Sequence, residues 1–506
     1  MSTPITLLWL RRDLRLADHP ALVAAAEHAR GMHGALLPLF IWEPSLTAGH
    51  RASANRTWYL RESLAELSRE LTSRGSTLLE LEGPATSTLP ALISTLRSVA
   101  QPSGEIALFA TRDHTPYARA RDRAIADALL PLGVALHAVR GLTVVEPDEL
   151  LTGGGTPYGV YTPYFRRWLE RVTASAGKPL AAPAILPAPP ALVLPDALRP
   201  NAAALTQASQ PTALRELLPL PGERAAREMA ERWIKAARGQ GANGYAARRN
   251  TLADEQGTSR LSAALHLGLL SPRELVARLL PLPPERGGER SGERLWVSQI
   301  AWRDFYTQVL WHAPHAARSS WRPAYDAIAW DERDEPFNAW REGRTGYPIV
   351  DAAMRQLHAS GFMHNRARMI TASFLTKDLL VDWRKGEAHF LQHLVDGDIA
   401  ANNGGWQWSA GSGTDAQPYF RIFNPVTQAG NFDPDGAYVR RWIPELAALK
   451  VPAIHAPWAH PTTLASAGIT LGVQYPEPIV DHAEARLRTL EAYARAIKGI
   501  PEPNGE

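Results

Sequence analysis

The chain of 506 residues has no cysteine. That excludes disulfides, thiolate metal sites and thiol nucleophiles, and it suits a cytoplasmic protein. No run of about 18 apolar residues occurs, so no membrane-spanning helix is expected. The opening MSTPITLLWLRRD enters a strand-like run directly and lacks the basic start and apolar stretch of a secretory leader. Charge of one sign is scarce as well. Against 54 Lys and Arg stand 51 Asp and Glu, a net charge of +3, so only a local gathering of basic residues could argue for nucleic acid. No GxGxxG follows the first apolar run and there is no P-loop, so the first part of the chain carries no nucleotide fingerprint.

What is present is the profile of an ordinary globular protein, 45% hydrophobic and 21% charged, at a length that suggests two domains. Apolar runs at 6–10, 35–42, 77–81, 106–110 and 134–139 are short and near-continuous, with amphipathic segments such as 53–73 and 116–130 between them. Strands buried on both faces read this way, so the pattern predicts an α/β domain over 1–140 with a Rossmann-like parallel sheet. Residues 141–223 form a connecting region. Between Pro179 and Pro200 it holds seven prolines, whose fixed φ and missing N–H predict an extended path over the surface. From 224 to 506 helical periodicity dominates, as at 228–238, 291–312 and 348–359, with Gly361 and Gly386 read as helix stops; an all-α C-terminal domain is expected. Arg11, Arg12, Asp13 and Arg15, just after the first run, read as a structural ion-pair cluster.

The densest chemistry lies in residues 396–425, DGDIAANNGGWQWSAGSGTDAQPYFRIFNP. If buried, Asp396 and Asp398 require a cation or hydrogen-bond donors. No His or further carboxylate stands at ligand spacing in this stretch, so no metal is expected. Trp406 and Trp408 suit stacking on a planar ring, or a structural turn. Upstream, Thr258, Ser259 and Ser262 precede and open a helix, where hydroxyls either cap free N–H groups or help hold an anion. In MHNRARMITASF (363–374), Asn365 and Met369 lie four apart on one helix face with Arg368 beside them. Met369 alone would read as core packing.

These stretches, with WLRRDLRLADHPAL, GTSRLSAALHLG, SQIAWRDFY and TGYPIVDAAMRQL, closely resemble the photolyase/cryptochrome family. The form is that of microbial photolyases that repair cyclobutane pyrimidine dimers, and the likeness runs from LLWLRRDLRL to the region of Trp442. It implies that the C-terminal domain binds FAD and that reduced FAD gives an electron to a flipped dimer in UV-damaged DNA under blue light. Tyr245, Thr258, Ser259, Leu261 and Ser262 match the cofactor's diphosphate cradle. Trp302 and Arg303 match a substrate-wall Trp and a flavin-contacting Arg. Arg368 matches the partner of Asp396, Asp398 the acceptor for the flavin ring, and Asn402 the residue facing flavin N5. Trp406, Trp383 and Trp330 match the family's electron-transfer chain, although each alone reads as a core Trp. Asn365 and Met369 match the lesion pocket, Trp302 and Trp408 the aromatic wedge. Arg249, Arg366 and Arg421 match phosphate contacts. Asn402 favours a photolyase over plant-type cryptochromes, which carry Asp there.

Two departures matter. Gln299 stands where dimer photolyases usually carry Glu, and enzymes that repair (6-4) photoproducts use Gln. Those enzymes also look to a pair of His on the 363–374 helix, and neither position is His here; His364 is expected to face another way. Phe362 replaces a Trp often found beside the flavin. The resemblance also leaves room for an antenna chromophore of deazaflavin or folate type. Ala118, where folate-type relatives have an acidic ligand, disfavours folate, and His50 sits where such relatives can carry a His. The alternatives are (6-4) repair and a cryptochrome-like blue-light receptor; the chain ends soon after Tyr493, which counts against the receptor. A monomer is expected.

Overall fold

The computed structural model describes residues 3–497 apart from 101–103, 175–177, 193, 237–238, 284–289 and 417. The N-terminal apolar runs form one parallel sheet: β1 (Ile5–Leu10), β2 (Ala35–Trp42), β3 (Leu79–Glu82), β4 (Ile106–Thr111) and β5 (Leu136–Val139). The strand order is β3-β2-β1-β4-β5, with Ile5 opposite both Ala35 and Ile106. Every residue of β1, β2 and β4 is buried, which is why these runs show no polar alternation. Period two still sorts their side chains. Leu8 and Leu10 join the core under α1 (Pro20–Gly31) and α2 (Ala54–Ser73), whereas Leu7 and Trp9 join the core under α3 (Ala85–Ala100) and α4 (Pro116–Leu129).

The connecting region begins with a helix that the sequence reading did not single out. It carries α5 (Tyr161–Ala174), whose Tyr161, Tyr164, Phe165, Trp168 and Val172 are buried at helical spacing. The proline-rich part behaves otherwise: among its described residues there is one short 3-10 turn at Asp196–Leu198 and no strand.

The rest is helical: α6 (Glu223–Lys235), α7 (Gly241–Arg248), α8 (Ser262–His266), α9 (Gly292–His312), α10 (Pro348–Ser360), α11 (Asn365–Ser373), α12 (Trp383–His393), α13 (Ile399–Ala410) and α14 (His482–Ala496) among others. The segment 228–238 is helical to Lys235, and 237–238 lie outside the described residues. Gly361 ends α10 with a left-handed φ of 62°. Gly386, by contrast, does not stop a helix. It lies inside α12, and a Cβ there would stand 2.1 Å from the Trp406 ring. Its missing side chain is what lets α12 close on α13.

The sheet order reverses between β1 and β4, the position at which open parallel sheets form a ligand crevice. Here ion pairs fill it. Arg11 binds Asp122 at 2.6 Å, Asp13 faces His19 at 3.3 Å, and Arg15 donates to the carbonyls of Asp18, Gly141 and Gly268. One core also runs from the sheet into the helices, holding Leu8 and Phe109 together with Trp168, Leu265, Phe305 and Val395.

Candidate functional site

A cavity of about 500 Å³ opens between α9, α11, the end of α12 and α13. Its shape depends on the turn between α12 and α13. Arg56 of α2 donates to the carbonyls of Leu391 and Leu394, and Asn55 to that of His393, so the free carbonyls of the last turn of α12 are satisfied from the sheet domain. Asp398 then starts α13 as its N-cap: Oδ1 accepts from the N–H groups of Ala400 and Ala401 at 3.0 Å.

The turn lies among guanidinium groups. Arg368 binds Asp396 through Nη2 at 3.0 and 2.8 Å, and Arg12 binds Asp398 at 2.9 Å. Burial works against the Asp398 charge, but His266, Arg12 and Arg303 outweigh it and hold the carboxyl well below its usual range. Burial lowers Arg56 to about 10 against the pull of Asp396 and Asp398. His266 Nδ1 stands 3.7 Å from Asp398, beyond hydrogen-bond length, and is buried without a hydrogen-bond partner among the described residues. Burial pushes the side chain below its usual pKa, against the pull of Asp398.

Around this centre the cavity gathers Arg249, Ser259, Ser262, Gln299, Trp302, Arg303, Asn365, Arg368, Met369, Asp396, Asp398, Asn402, Trp406 and Trp408. Asn365 Nδ2 lies 3.8 Å from Met369 Sδ, one turn apart on α11. Trp302 stacks on Tyr161 of α5, with ring centroids 3.6 Å apart and planes within 9°. Asn402 donates through Nδ2 to the Glu387 carbonyl at 3.1 Å, which leaves its Oδ1 to accept. Gln299 folds back on its own helix, donating from Nε2 to Leu295 O at 3.2 Å and Ser298 Oγ at 3.1 Å. Arg303 donates to the Leu142 carbonyl at 2.5 Å.

Other residues singled out in the sequence lie outside this lining. Tyr245 is buried on α7 between Trp233 and the Arg249 guanidinium. Leu261 is buried in the core, and Thr258 lines two neighbouring cavities, one of them shared with Ser259 and Ser262. None of the three hydroxyls caps α8, whose N-cap position is Leu261 with no side-chain cap and which is only five residues long. Arg366 donates to Asn250 Oδ1 at 2.9 Å and lies over Phe432, and Arg421 is exposed after α13. Trp383 is fully buried at the start of α12, Trp330 is half-buried against Tyr493, and both share one apolar core with Trp406. All three indole N–H groups lack a hydrogen-bond partner among the described residues. His364 caps α11 by accepting from Arg366 N and lines the cavity of Thr258 and Trp442.

Sequence reasoning missed Arg12, His266, Arg56 and Trp340. Arg12 had been grouped with the structural ion pairs, yet it reaches the cavity turn. Trp340 contacts Trp406 edge-on at 5.9 Å. Only tertiary contact distinguishes these residues from ordinary surface Arg and core Trp.

Residues 6–187 match the family model for DNA photolyase, and 296–495 match the FAD binding domain of DNA photolyase. The chain is 40% identical to deoxyribodipyrimidine photo-lyase of Salmonella typhimurium, over 98% of this chain and 100% of that one. Identity to the protein of the same name from Escherichia coli is 38%, over 97% and 99%. Among solved structures, a class III photolyase from Agrobacterium tumefaciens superposes with TM-score 0.83 at 38% identity, over 98% of both chains. A cryptochrome from Synechocystis superposes with TM-score 0.85 at 28% identity, over 97% of this chain and 100% of that one.

The chain belongs to the photolyase/cryptochrome family. Its two-part architecture, an α/β sheet domain followed by helices, is that of the photolyase neighbours, and its cofactor is FAD. The cavity fits the cofactor of this family. It lies in the size range of cofactor sites, and Ser259 and Ser262 in its lining bring hydroxyls that suit a diphosphate. His266 and Trp406 belong to that lining, and their Nδ1 and Nε1 are buried without hydrogen-bond partners among the described residues. Among the described residues Arg12 is the one hydrogen-bond donor to Asp398 Oδ2, so this oxygen can accept one more bond from a ring N–H.

Proposed function

We propose that the protein repairs cyclobutane pyrimidine dimers in UV-damaged DNA under blue light, as a cytoplasmic monomer. Bound FAD in its reduced form supplies the light-driven electron. The observation that carries the reading is the single face of α11 on which Asn365 and Met369 line the cavity that also holds Trp302, Trp408 and Asn402. A flipped dinucleotide would lie between Trp302, stiffened by its stack on Tyr161, and Trp408, with Asn365 reaching its polar edge and Met369 its apolar face. Asp398 and Asn402 would orient the cofactor ring through N–H groups, and the Arg368–Asp396 pair would fix the wall beside it. Ser259, Ser262 and Thr258 would hold the diphosphate. Trp406, Trp383 and Trp330 would pass electrons inward from the surface to regenerate the reduced cofactor, and Arg249, Arg366 and Arg421 would bind phosphates. Ala118 is buried in the first turn of α4 and offers no carboxylate there, which supports disfavouring a folate.

Gln299 favours a second reading, repair of (6-4) products. Against it, His364 is committed to capping α11. Blue-light repair by the reduced protein, on one oligonucleotide with a cyclobutane thymine dimer and another with a (6-4) product, separates the two. Restoration of the cyclobutane substrate alone supports the proposal, and restoration of the (6-4) substrate alone overturns it. If FAD is bound and photoreducible but neither substrate is restored, a receptor role replaces both.

A further inference from the structure

Away from the cavity, α12 carries His389 and His393 one turn apart, and α10 brings His358 to face them. One ring nitrogen from each lies within 4.8 Å of the others, and His358 Nε2 is 3.3 Å from His389 Nε2. We propose that His358, His389 and His393 form a binding site for a borderline divalent transition ion of the zinc class. It departs from the absence of metal expected from the aspartate stretch, and it stands independently of the reaction proposed above.

The geometry carries the assignment. A tetrahedral zinc ion with bonds of about 2.0–2.1 Å holds its ligand nitrogens roughly 3.3–3.4 Å apart. The His358–His389 edge already has that length. Closing the other edges needs movement on the order of 1 Å, within reach of rotamer changes at the half-buried His358 and His393. His393 Nδ1 is bonded to the His389 carbonyl at 2.9 Å. That bond makes Nδ1 the protonated nitrogen and presents Nε2 as the ligand, the usual outer-shell arrangement of a metal-bound imidazole. Trp340 and Phe337 meet His389 edge-on, forming an apolar floor, and the partial exposure of the other two rings leaves a path from solvent.

The donor set selects the ion. Three neutral imidazoles suit zinc, cobalt, nickel or copper and are poor ligands for magnesium or calcium, which take oxygen. The positive charge of Arg341 acts on His389 and opposes binding. An ion here would tie α10 to α12, the two helices whose ends meet where Val395 N donates to the Gly361 carbonyl at 2.9 Å. It would thereby brace the turn that presents Asp396.

The test uses the full chain with FAD bound, stripped with chelator and titrated calorimetrically with zinc chloride, and with magnesium chloride as control. One zinc per chain is expected, with no magnesium uptake at the same concentrations. His358→Ala and His393→Ala should each weaken zinc binding at least about a hundredfold. In the same samples zinc should raise the melting temperature of the wild-type protein and leave that of both variants unchanged. Melting without zinc and flavin content report whether the variants fold. No stoichiometric zinc, equal uptake of magnesium, or zinc binding unchanged in both folded variants would overturn the proposal.

Discussion

Arg12 donates from Nη1 to Asp398 Oδ2 at 2.9 Å, joining two residues 386 apart in the chain. Arg12 follows β1 at the sheet's switch point and also faces Asp113 at 3.4 Å, while Asp398 caps α13 at the cavity. The crevice that would bind a nucleotide in a simple doubly wound sheet is thus used to fix the charge of a carboxylate in the helical domain.

That pair yields the first prediction. Arg12→Ala leaves Asp398 mostly buried without its counter-ion and should cost about 2–3 kcal/mol in urea unfolding, with less FAD retained per chain. The folded Asp398 pKa is depressed, so its contribution is present above the unfolded value and lost as pH falls through the folded one. Removing Arg12 raises the folded value. Flavin loss on acidification should therefore begin at higher pH in the variant, as read from flavin fluorescence. Identical acid profiles would refute the role given to Arg12.

Gln299 holds its amide nitrogen against Leu295 O and Ser298 Oγ. A glutamate cannot donate to the Leu295 carbonyl, so Gln299→Glu should swing the carboxyl into the cavity. If the cavity receives a cyclobutane dimer, repair yield should stay within about threefold of wild type or rise, a change of under about 1 kcal/mol. Complete loss of repair would mean that the cavity is built around an amide. Steady-state repair under blue light, scored by chromatography, decides it.

Gly386→Ala places a methyl group 2.1 Å from the Trp406 ring. Alanine favours a helix interior by roughly 1 kcal/mol, yet forcing α12 from α13 should cost about 1–3 kcal/mol, so the variant should be neutral to destabilised. The more specific readout is photoreduction of bound FAD, which should slow because Trp406 is displaced. A variant with wild-type photoreduction would remove Trp406 from the proposed path.

The sheet and most helices were legible because buried parallel strands are continuous apolar runs and long helices keep their period. Gly386 was misread because a glycine packed against an aromatic ring looks, in sequence, like one that ends a helix. Helix α5 was overlooked beside a proline-rich segment, although Tyr161, Tyr164, Phe165 and Trp168 carry the spacing. In the candidate site, helix geometry put Asn365, Arg368 and Met369 within one turn of each other, but only the family resemblance assigned them to a pocket. Arg12, Arg56 and His266 were not legible, because their partners lie far along the chain, 386, 335 and 132 residues away, and no local pattern encodes such contacts.

Asp304 gives the pH prediction. It is fully buried, and Oδ2 accepts from Val144 N, Val145 N and Trp168 Nε1 at 3.0, 3.0 and 2.9 Å. Burial raises its pKa to about 6, against Arg303 and these donors. The folded value lies above the unfolded one, so folding favours the protonated form. Its contribution is present below the unfolded pKa of 3.8 and is lost as pH rises through about 6. Asp304→Asn can keep all three bonds by placing Oδ1 where Oδ2 stood, and it does not titrate. Wild-type stability relative to Asp304→Asn should fall by roughly 2–3 kcal/mol between pH 4 and pH 7, as read from urea midpoints. Asp304→Ala orphans three buried donors and should cost about 3–5 kcal/mol at any pH in that range. A flat difference between wild type and Asp304→Asn would mean that the carboxyl keeps an ordinary pKa, and that the three donors and Arg303 outweigh its burial.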